Sequence, residues 1–310
     1  MRRLEGYSSR KRNTSQNISP WREIHPACIV FPVPEPLAPI FTADLFPEIE
    51  QKLVDLLRSL TSDDWDRQTL APKWKVRHVV AHLLDTQLRK LSLARDKYFA
   101  DSPQISSPQD LVDFINRLNA EGVALYSRLS PAVLISLMEI ASRESYEFHR
   151  SLDPYAKAMF SVSWAGESES QNWFDTAREL TERWHHQQQI REAVGKPGIM
   201  APRLYHAVLD CFVRVLPFAY RDVQAPPGSL VEVRVSGDSG GSWYLYREEN
   251  GWKLITRSEG TKLASIDIPQ EIAWRVFTKG IRPEEASQKV KWEGDRDSAL
   301  HVLKAVAIVG

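Results

Sequence analysis

Glu182 and His186 lie four residues apart inside a run, Asn172 to Val194, whose pattern is helical. Four residues along an α-helix rise roughly 6 Å and turn about 400°, so the two side chains project from one face. A carboxylate and an imidazole held that way supply two ligands of a divalent-metal site, and a third has to come from another element. His82 is the candidate. It sits in Val79-Val80-Ala81-His82-Leu83, an apolar helical segment with little other use for a histidine. Three protein ligands with a fourth position open is the pattern of a catalytic zinc, not a structural one. Plainer readings exist for each residue. His82 alone reads as an ordinary core or surface histidine, and Glu182 with His186 as an exposed helical pair contributing about a few tenths of a kcal/mol.

Several neighbours have to be placed around this trio. His185 lies about 100° around the helix from His186, so both cannot easily face one ion, and it reads as a surface or supporting residue. His78 precedes His82 by four residues and could compete for the metal, although a position on the helix surface fits it better. His149 has Asp153 four residues on, but Pro154 interrupts the helix there and the pair reads as structural. Arg221 ends the run Leu216-Pro217-Phe218-Ala219-Tyr220. It would reach a substrate carboxylate from the second domain, or serve as an ordinary cation at a helix C-terminus, the reading preferred. Trp184, one of ten tryptophans, adjoins the histidine pair and hints at a well-walled site.

The elements that must position these residues are mostly helical from Thr42 to Val194. Leu45, Ile49, Leu53 and Leu57 repeat at helical spacing, with Asp44 the better cap because it leaves Pro47 in the first turn. Ser62-Asp63-Asp64-Trp65 opens a short turn. A second helix is predicted from about Val76 to Tyr98, a third from Leu111 to Leu129, and a fourth begins at Pro131. Gly195-Lys196-Pro197 stops the helix that carries Glu182 and His186. Long amphipathic helices with connections of mixed length make a helical bundle.

Past Pro197 the texture changes. A helix over Arg203 to Arg221 precedes alternating segments at Val231–Val235, Trp243–Tyr246 and Trp252–Ile255. Turn residues at Asp238-Ser239-Gly240-Gly241 and Glu249-Asn250-Gly251 separate them, so they form an antiparallel meander. Leu263–Asp267 offers a further strand, Pro269 starts a helix through Phe277, and a last helix begins near Asp297. The chain therefore divides into an extension over 1–38, a helical bundle over 39–197 and an α+β domain over 198–310. The extension mixes Arg2, Arg3, Arg10, Lys11 and Arg12 with polar residues and then prolines. It reads as disordered and carries no function here.

Composition removes several function classes. The 310 residues balance 40 basic against 40 acidic side chains, and no basic stripe argues for nucleic acid as partner. No apolar run is long enough to span a membrane. Cys28 and Cys211 have no metal-type spacing and read as reduced thiols of a cytoplasmic protein, a monomer or homodimer.

Two signatures carry a family resemblance. Ser59-Leu60-Thr61-Ser62-Asp63-Asp64-Trp65-Asp66 is followed by Trp74-Lys75-Val76-Arg77 leading into Val80-Ala81-His82-Leu83. Glu182-x-x-x-His186 is followed by Gln187, Ile190-Arg191 and Ala193-Val194-Gly195. Together they resemble the N-terminal domain of the mycothiol-dependent maleylpyruvate isomerase family, part of the DinB-like superfamily of four-helix-bundle metalloenzymes. The α+β domain resembles the sterol-carrier-like domain that often accompanies it. The resemblance implies a divalent metal on His82, Glu182 and His186, zinc first with nickel or manganese as alternatives. It also implies a low-molecular-weight thiol such as mycothiol as cosubstrate, activated as thiolate, and a small-molecule electrophile. The activity implied is that of an isomerase or S-transferase. Lys73, His78 and Gln189 depart from the family, which commonly has Gly, Asp and Asp there; no proposed ligand is lost. Two other functions stay open: a non-catalytic small-molecule or lipid-binding protein that keeps the bundle as scaffold, and a hydrolase using metal-bound water.

Overall fold

The computed structural model describes residues 35–100 and 103–308. Most of the extension expected over 1–38, with Cys28, lies outside them. Glu35 to Leu37 are described and run beside an edge strand, where Leu37 N–H donates to Leu254 O at 3.1 Å and Thr256 N–H to Glu35 O at 3.0 Å.

The helical region is built from α1 (Phe46–Arg58), α2 (Val76–Lys90), α3 (Pro108–Tyr126), α4 (Pro131–Ser151) and α5 (Asn172–Ala193). Asp44 does not cap α1. Ala43–Leu45 form a 3-10 turn that runs straight into the helix, so Leu45 occupies the cap position without a side-chain bond; Pro47 falls in the first turn as expected. The carbonyls of that turn take the amides a cap would have served. The predicted second helix is also shorter. After Lys90 the chain widens into a π turn, Leu91–Arg95, and Lys97 at φ +56° ends it before Tyr98. α4 stops at Ser151, three residues before Pro154. α5 ends where predicted, with Gly195 at φ +66° and Lys196 N–H returning to Arg191 O at 2.8 Å.

α2 packs on α3, α4 and α5, and α1 packs on α4 and α5, so α1, α2, α4 and α5 enclose the bundle interior. One part of that interior is apolar. Leu53, Leu57, Val76, Val80, Leu84, Leu134, Met138 and Ile190 meet there, from four helices. Another part buries charge. Lys90 Nζ on α2 lies 2.6 Å from Asp175 Oδ2 and 3.4 Å from Glu179 Oε1, both on α5. Arg183 on α5 reaches Glu179 at 3.0 Å and Glu50 of α1 at 2.7 Å. Arg183 also donates to Ser145 of α4, while Ser142 donates to Glu50. Arg178 pairs with Asp175 and Glu179. This layer ties α5 to the three helices around it.

Beyond α5 come α6 (Pro202–Phe212) and the short α7 (Leu216–Ala219), with a 3-10 turn between them where one continuous helix was predicted. Then follow β1 (Ser229–Ser236), β2 (Gly241–Glu248), β3 (Gly251–Ile255), β4 (Thr261–Pro269), α8 (Gln270–Phe277), α9 (Pro283–Ala286), β5 (Lys291–Gly294) and α10 (Arg296–His301). The five-stranded sheet has the order β3-β2-β1-β4-β5. β1, β2 and β3 form the predicted antiparallel meander, whereas β4 crosses over to pair parallel with β1. The fold is thus a helical region followed by a five-stranded sheet region. The apolar core of the sheet region extends onto α1 and α5, separate from the bundle cluster: Trp184 of α5 stacks on Tyr205 of α6, ring centroids 4.5 Å apart, and meets Trp274 of α8 edge-on at 6.0 Å. Among the described residues no helix is long and apolar enough to cross a membrane.

Candidate metal centre

α2 and α5 are in contact, and their packing brings His82 to Glu182 and His186. One ligand atom from each of the three lies within 4.8 Å of the others. His186 Nε2 stands 3.5 Å from Glu182 Oε2, as the one-turn spacing demands. The His82 ring meets the His186 ring edge-on with centroids 4.8 Å apart. Both imidazoles are buried. Glu182, with a side chain 29% exposed, is where the cluster meets solvent.

The protonation states suit a cation. Burial, then the neighbouring His186, pushes His82 well below the ordinary histidine range, so it is neutral near pH 7. Burial also lowers His185, to about 4. Burial alone would raise the Glu182 carboxyl. Charge on the neighbouring His185, His186 and His82 outweighs it and holds Glu182 at about 2. At neutral pH His82 is therefore a neutral imidazole and Glu182 a carboxylate. Those are the forms a metal binds.

The ring orientations fit as well. His186 Nδ1 donates to Gln189 Oε1 at 3.0 Å, since an amide oxygen can only accept. That fixes the tautomer with the Nε2 lone pair toward Glu182, the arrangement metal-ligating histidines use. Gln189, where the family commonly has Asp, fills the acceptor's place. His82 differs: its buried Nδ1 has no hydrogen-bond partner. An orphaned buried nitrogen beside a partly exposed carboxylate and a pre-set imidazole fits a metal site better than a purely structural cluster.

The remaining expectations resolve individually. His78 Nδ1 accepts the Lys75 amide at 3.2 Å and is engaged at the start of α2, apart from the trio. His185 is buried, not on the surface. Its Nδ1 donates to Thr181 O at 2.9 Å, and its ring lies 3.9 Å from that of His186. His149 is buried against Thr176 and does not pair with Asp153. Arg221 is exposed, 3.5 Å from Asp222, and donates to Phe218 O at 2.8 Å while lying over the Phe218 ring. Trp184 points into the shared core and is not the site's wall. That wall is Trp74, whose ring centroid is 4.7 Å from His82 and 6.0 Å from His186. Two open clefts, about 440 and 520 Å³, lie elsewhere, one around Tyr155 and Trp173 and the other around Ile40 and His206.

The charged layer of Lys90, Asp175, Glu179, Arg183 and Glu50 was missed by sequence reasoning. The signal was present: Asp175, Arg178, Glu179, Glu182, Arg183 and His186 recur at helical spacing on the side of α5 opposite the apolar stripe of Phe174, Ala177, Leu180 and Trp184.

Comparison with known proteins bears out the resemblance for the helical region. The family model of the mycothiol maleylpyruvate isomerase N-terminal domain matches residues 46–191. Two uncharacterised proteins of Mycobacterium tuberculosis, from strains CDC 1551 / Oshkosh and ATCC 25618 / H37Rv, are each 27% identical over 207 residues. The match covers 66% of this chain and 75% of theirs. A crystal structure of a histidine-to-alanine mutant of the mycothiol-dependent maleylpyruvate isomerase aligns with a TM-score of 0.50 at 12% identity, over 81% of this chain and 91% of that one. The fold is therefore shared across both regions.

Proposed function

We propose that this protein is a divalent-metal-dependent, thiol-using isomerase or S-transferase of the maleylpyruvate isomerase type, with His82, Glu182 and His186 as metal ligands. The carrying observation is the convergence of those three side chains, from two helices, with ligand atoms within 4.8 Å. The family match supports mycothiol or a related thiol as cosubstrate and a small molecule as substrate; on this reading the substrate is an electrophile with a conjugated double bond.

A bound divalent cation would supply positive charge that favours thiolate over thiol near neutral pH. This chain's residues do the rest. Glu182 contributes the negative charge that makes the site select a cation, and it faces solvent, so a thiol reaches the centre from its side. Gln189 keeps the His186 lone pair turned inward. Trp74 and the bundle interior exclude bulk water from the imidazoles, which strengthens every charge interaction there. For a cis double bond conjugated to a carbonyl, the thiolate adds to one alkene carbon and the electron pair moves to the carbonyl. The resulting single bond rotates, and elimination returns the thiolate and leaves the trans alkene. Atoms balance with no net redox change.

Metal analysis of the wild type beside His82→Ala and His186→Ala tests the ligand set. One ion per chain in the wild type, lost in both variants, is expected. Equal metal content in all three would refute it. Turnover that needs metal and mycothiol together supports the thiol reading; turnover that needs metal but no thiol would place the protein with hydrolases instead.

A further inference from the structure

Metal-ligating histidines are almost always oriented by a hydrogen bond at the second ring nitrogen. His186 has one, to Gln189 Oε1; neither ring nitrogen of His82 bonds to another protein group, so whichever one faces the ion, the other has no protein partner. Something else must hold that ring, because a free χ2 rotation would cost the site its geometry. Two aromatic rings pack against that of His82: Trp74 at 4.7 Å, tilted by 42°, and His186 at 4.8 Å, edge-on. Since His186 is itself a ligand, Trp74 is the contact that comes from outside the trio.

Trp74 is unusually well fixed for a residue in a loop. It precedes α2 by two positions. Its carbonyl accepts three hydrogen bonds, from Thr69 N–H at 3.2 Å, Thr69 Oγ1 at 2.7 Å and Gln68 Nε2 at 2.9 Å. Its own N–H donates to Ala71 O at 2.9 Å, and Gln68 and Lys75 form an isolated bridge around it. Gln68 Nε2 donates to Ala71 O as well, and Thr69 Oγ1 accepts from Ala71 N–H. The loop from Gln68 to Lys75 is thus closed on itself, and what it presents to the bundle is one indole ring lying over two imidazoles.

We infer that Trp74 is a positioning residue of the metal centre, its clamped indole ring holding His82 in the ligating orientation in place of the missing hydrogen bond. This rests on the proposed metal site, so the test must separate the two. Apo-protein is titrated with zinc against a chromophoric chelator for wild type, His82→Ala, Trp74→Phe and Trp74→Leu. Far-UV circular dichroism and apo melting are recorded alongside. With an aromatic face retained, Trp74→Phe should stay close to wild type. Trp74→Leu should bind roughly 10–100-fold more weakly, the usual cost of losing a residue that orients a ligand, and its cobalt(II) complex should show altered visible absorption bands. Should Trp74→Leu fail to fold, Trp74→Met, which fills more of the volume without a ring, must show the same loss. Wild-type affinity in a folded Trp74→Leu or Trp74→Met would overturn the inference while leaving the metal site standing. Equal loss in Trp74→Phe would also overturn it, because ring packing would then not be the cause. No zinc uptake by wild type, or undiminished uptake by His82→Ala, would overturn the metal reading and this inference with it.

Discussion

Replacing Lys90 by Met tests whether the charged layer is a structural device. Lys90 is 7% exposed, and its ammonium lies 2.6 Å from Asp175 and 3.4 Å from Glu179. Lys90, Arg178 and Arg183 face Asp175, Glu179 and Glu50, so removing one cation leaves one negative charge unmatched inside the bundle. A unit pair about 4 Å apart is worth about 4 kcal/mol at an effective dielectric of 20, and these pairs are closer. Lys90 contacts two carboxylates, but its own burial cost disappears with it. The net expectation is about 3–5 kcal/mol of stability lost at pH 7, or a melting temperature lower by roughly 6–10 °C in a chain of this size. Met retains the length of the stem, so most packing survives. Acid adds a second arm. Burial works against ionisation of Asp175 and Glu179, yet the cations beside them hold both below the ordinary carboxylate range. Stability from such groups is present above the unfolded value, near 4, and is lost as pH falls through the folded one. In Lys90→Met the lowering is weaker, so the deficit against wild type must shrink between pH 7 and about pH 3.5. Urea unfolding at both pH values reads the two quantities. A loss under about 1 kcal/mol at pH 7, or a deficit of constant size down to the acid end, would refute the reasoning and reduce Lys90 to a packing residue.

Two further outcomes follow from the same geometry. Gln189→Leu removes the acceptor that sets the His186 tautomer and should weaken zinc binding roughly 10–100-fold, whereas Gln189→Asp should retain it; competitive chelator titration checks this, and equal affinities would refute it. His149 is held down to about 3, mainly by burial and by Arg183 and Lys90, against the opposing pull of Glu179 and Asp175. Its contribution to stability is complete above the unfolded value near 6.5 and is lost as pH falls, by about 2 kcal/mol between pH 6.5 and pH 5. His149→Gln should lose correspondingly less over that interval in urea titrations, and parallel curves for the two proteins would sink the argument.

How far the sequence could be read depended on whether a residue's role is local. The end of α5 at Gly195, the start of α4 at Pro131 and the three strands of the meander were legible, since each depends on backbone chemistry within a few residues. Glu182 and His186 share a face for the same reason. That His82 joins them was legible only because a histidine is costly in an apolar helical segment. What stayed hidden is contact between segments far apart. Trp184 and Trp74 are both tryptophans near site residues in sequence, yet one faces Tyr205 and Trp274 and the other covers the imidazoles. Nothing in either local pattern separates them, because the choice is made by which neighbours α5 and the Gln68–Lys75 loop meet. The parallel pairing of β4 with β1 was hidden likewise, since a crossover has no composition of its own. α5 is the instructive case. Phe174, Ala177, Leu180 and Trp184 give it one apolar stripe, and the opposite side carries charged residues, a pattern that alone argues for a helix with that side in solvent. It is buried instead, with Asp175, Glu179 and Arg183 matched to Lys90 and Glu50 on neighbouring helices, and Glu182 and His186 one turn further along. A polar helix is tolerated in an interior only when every charge finds a partner. Under the proposed metal reading, the turn holding Glu182 and His186 would reach that condition when a cation completes it, and the ion pairs beside it hold α5 in the register that brings both residues to His82.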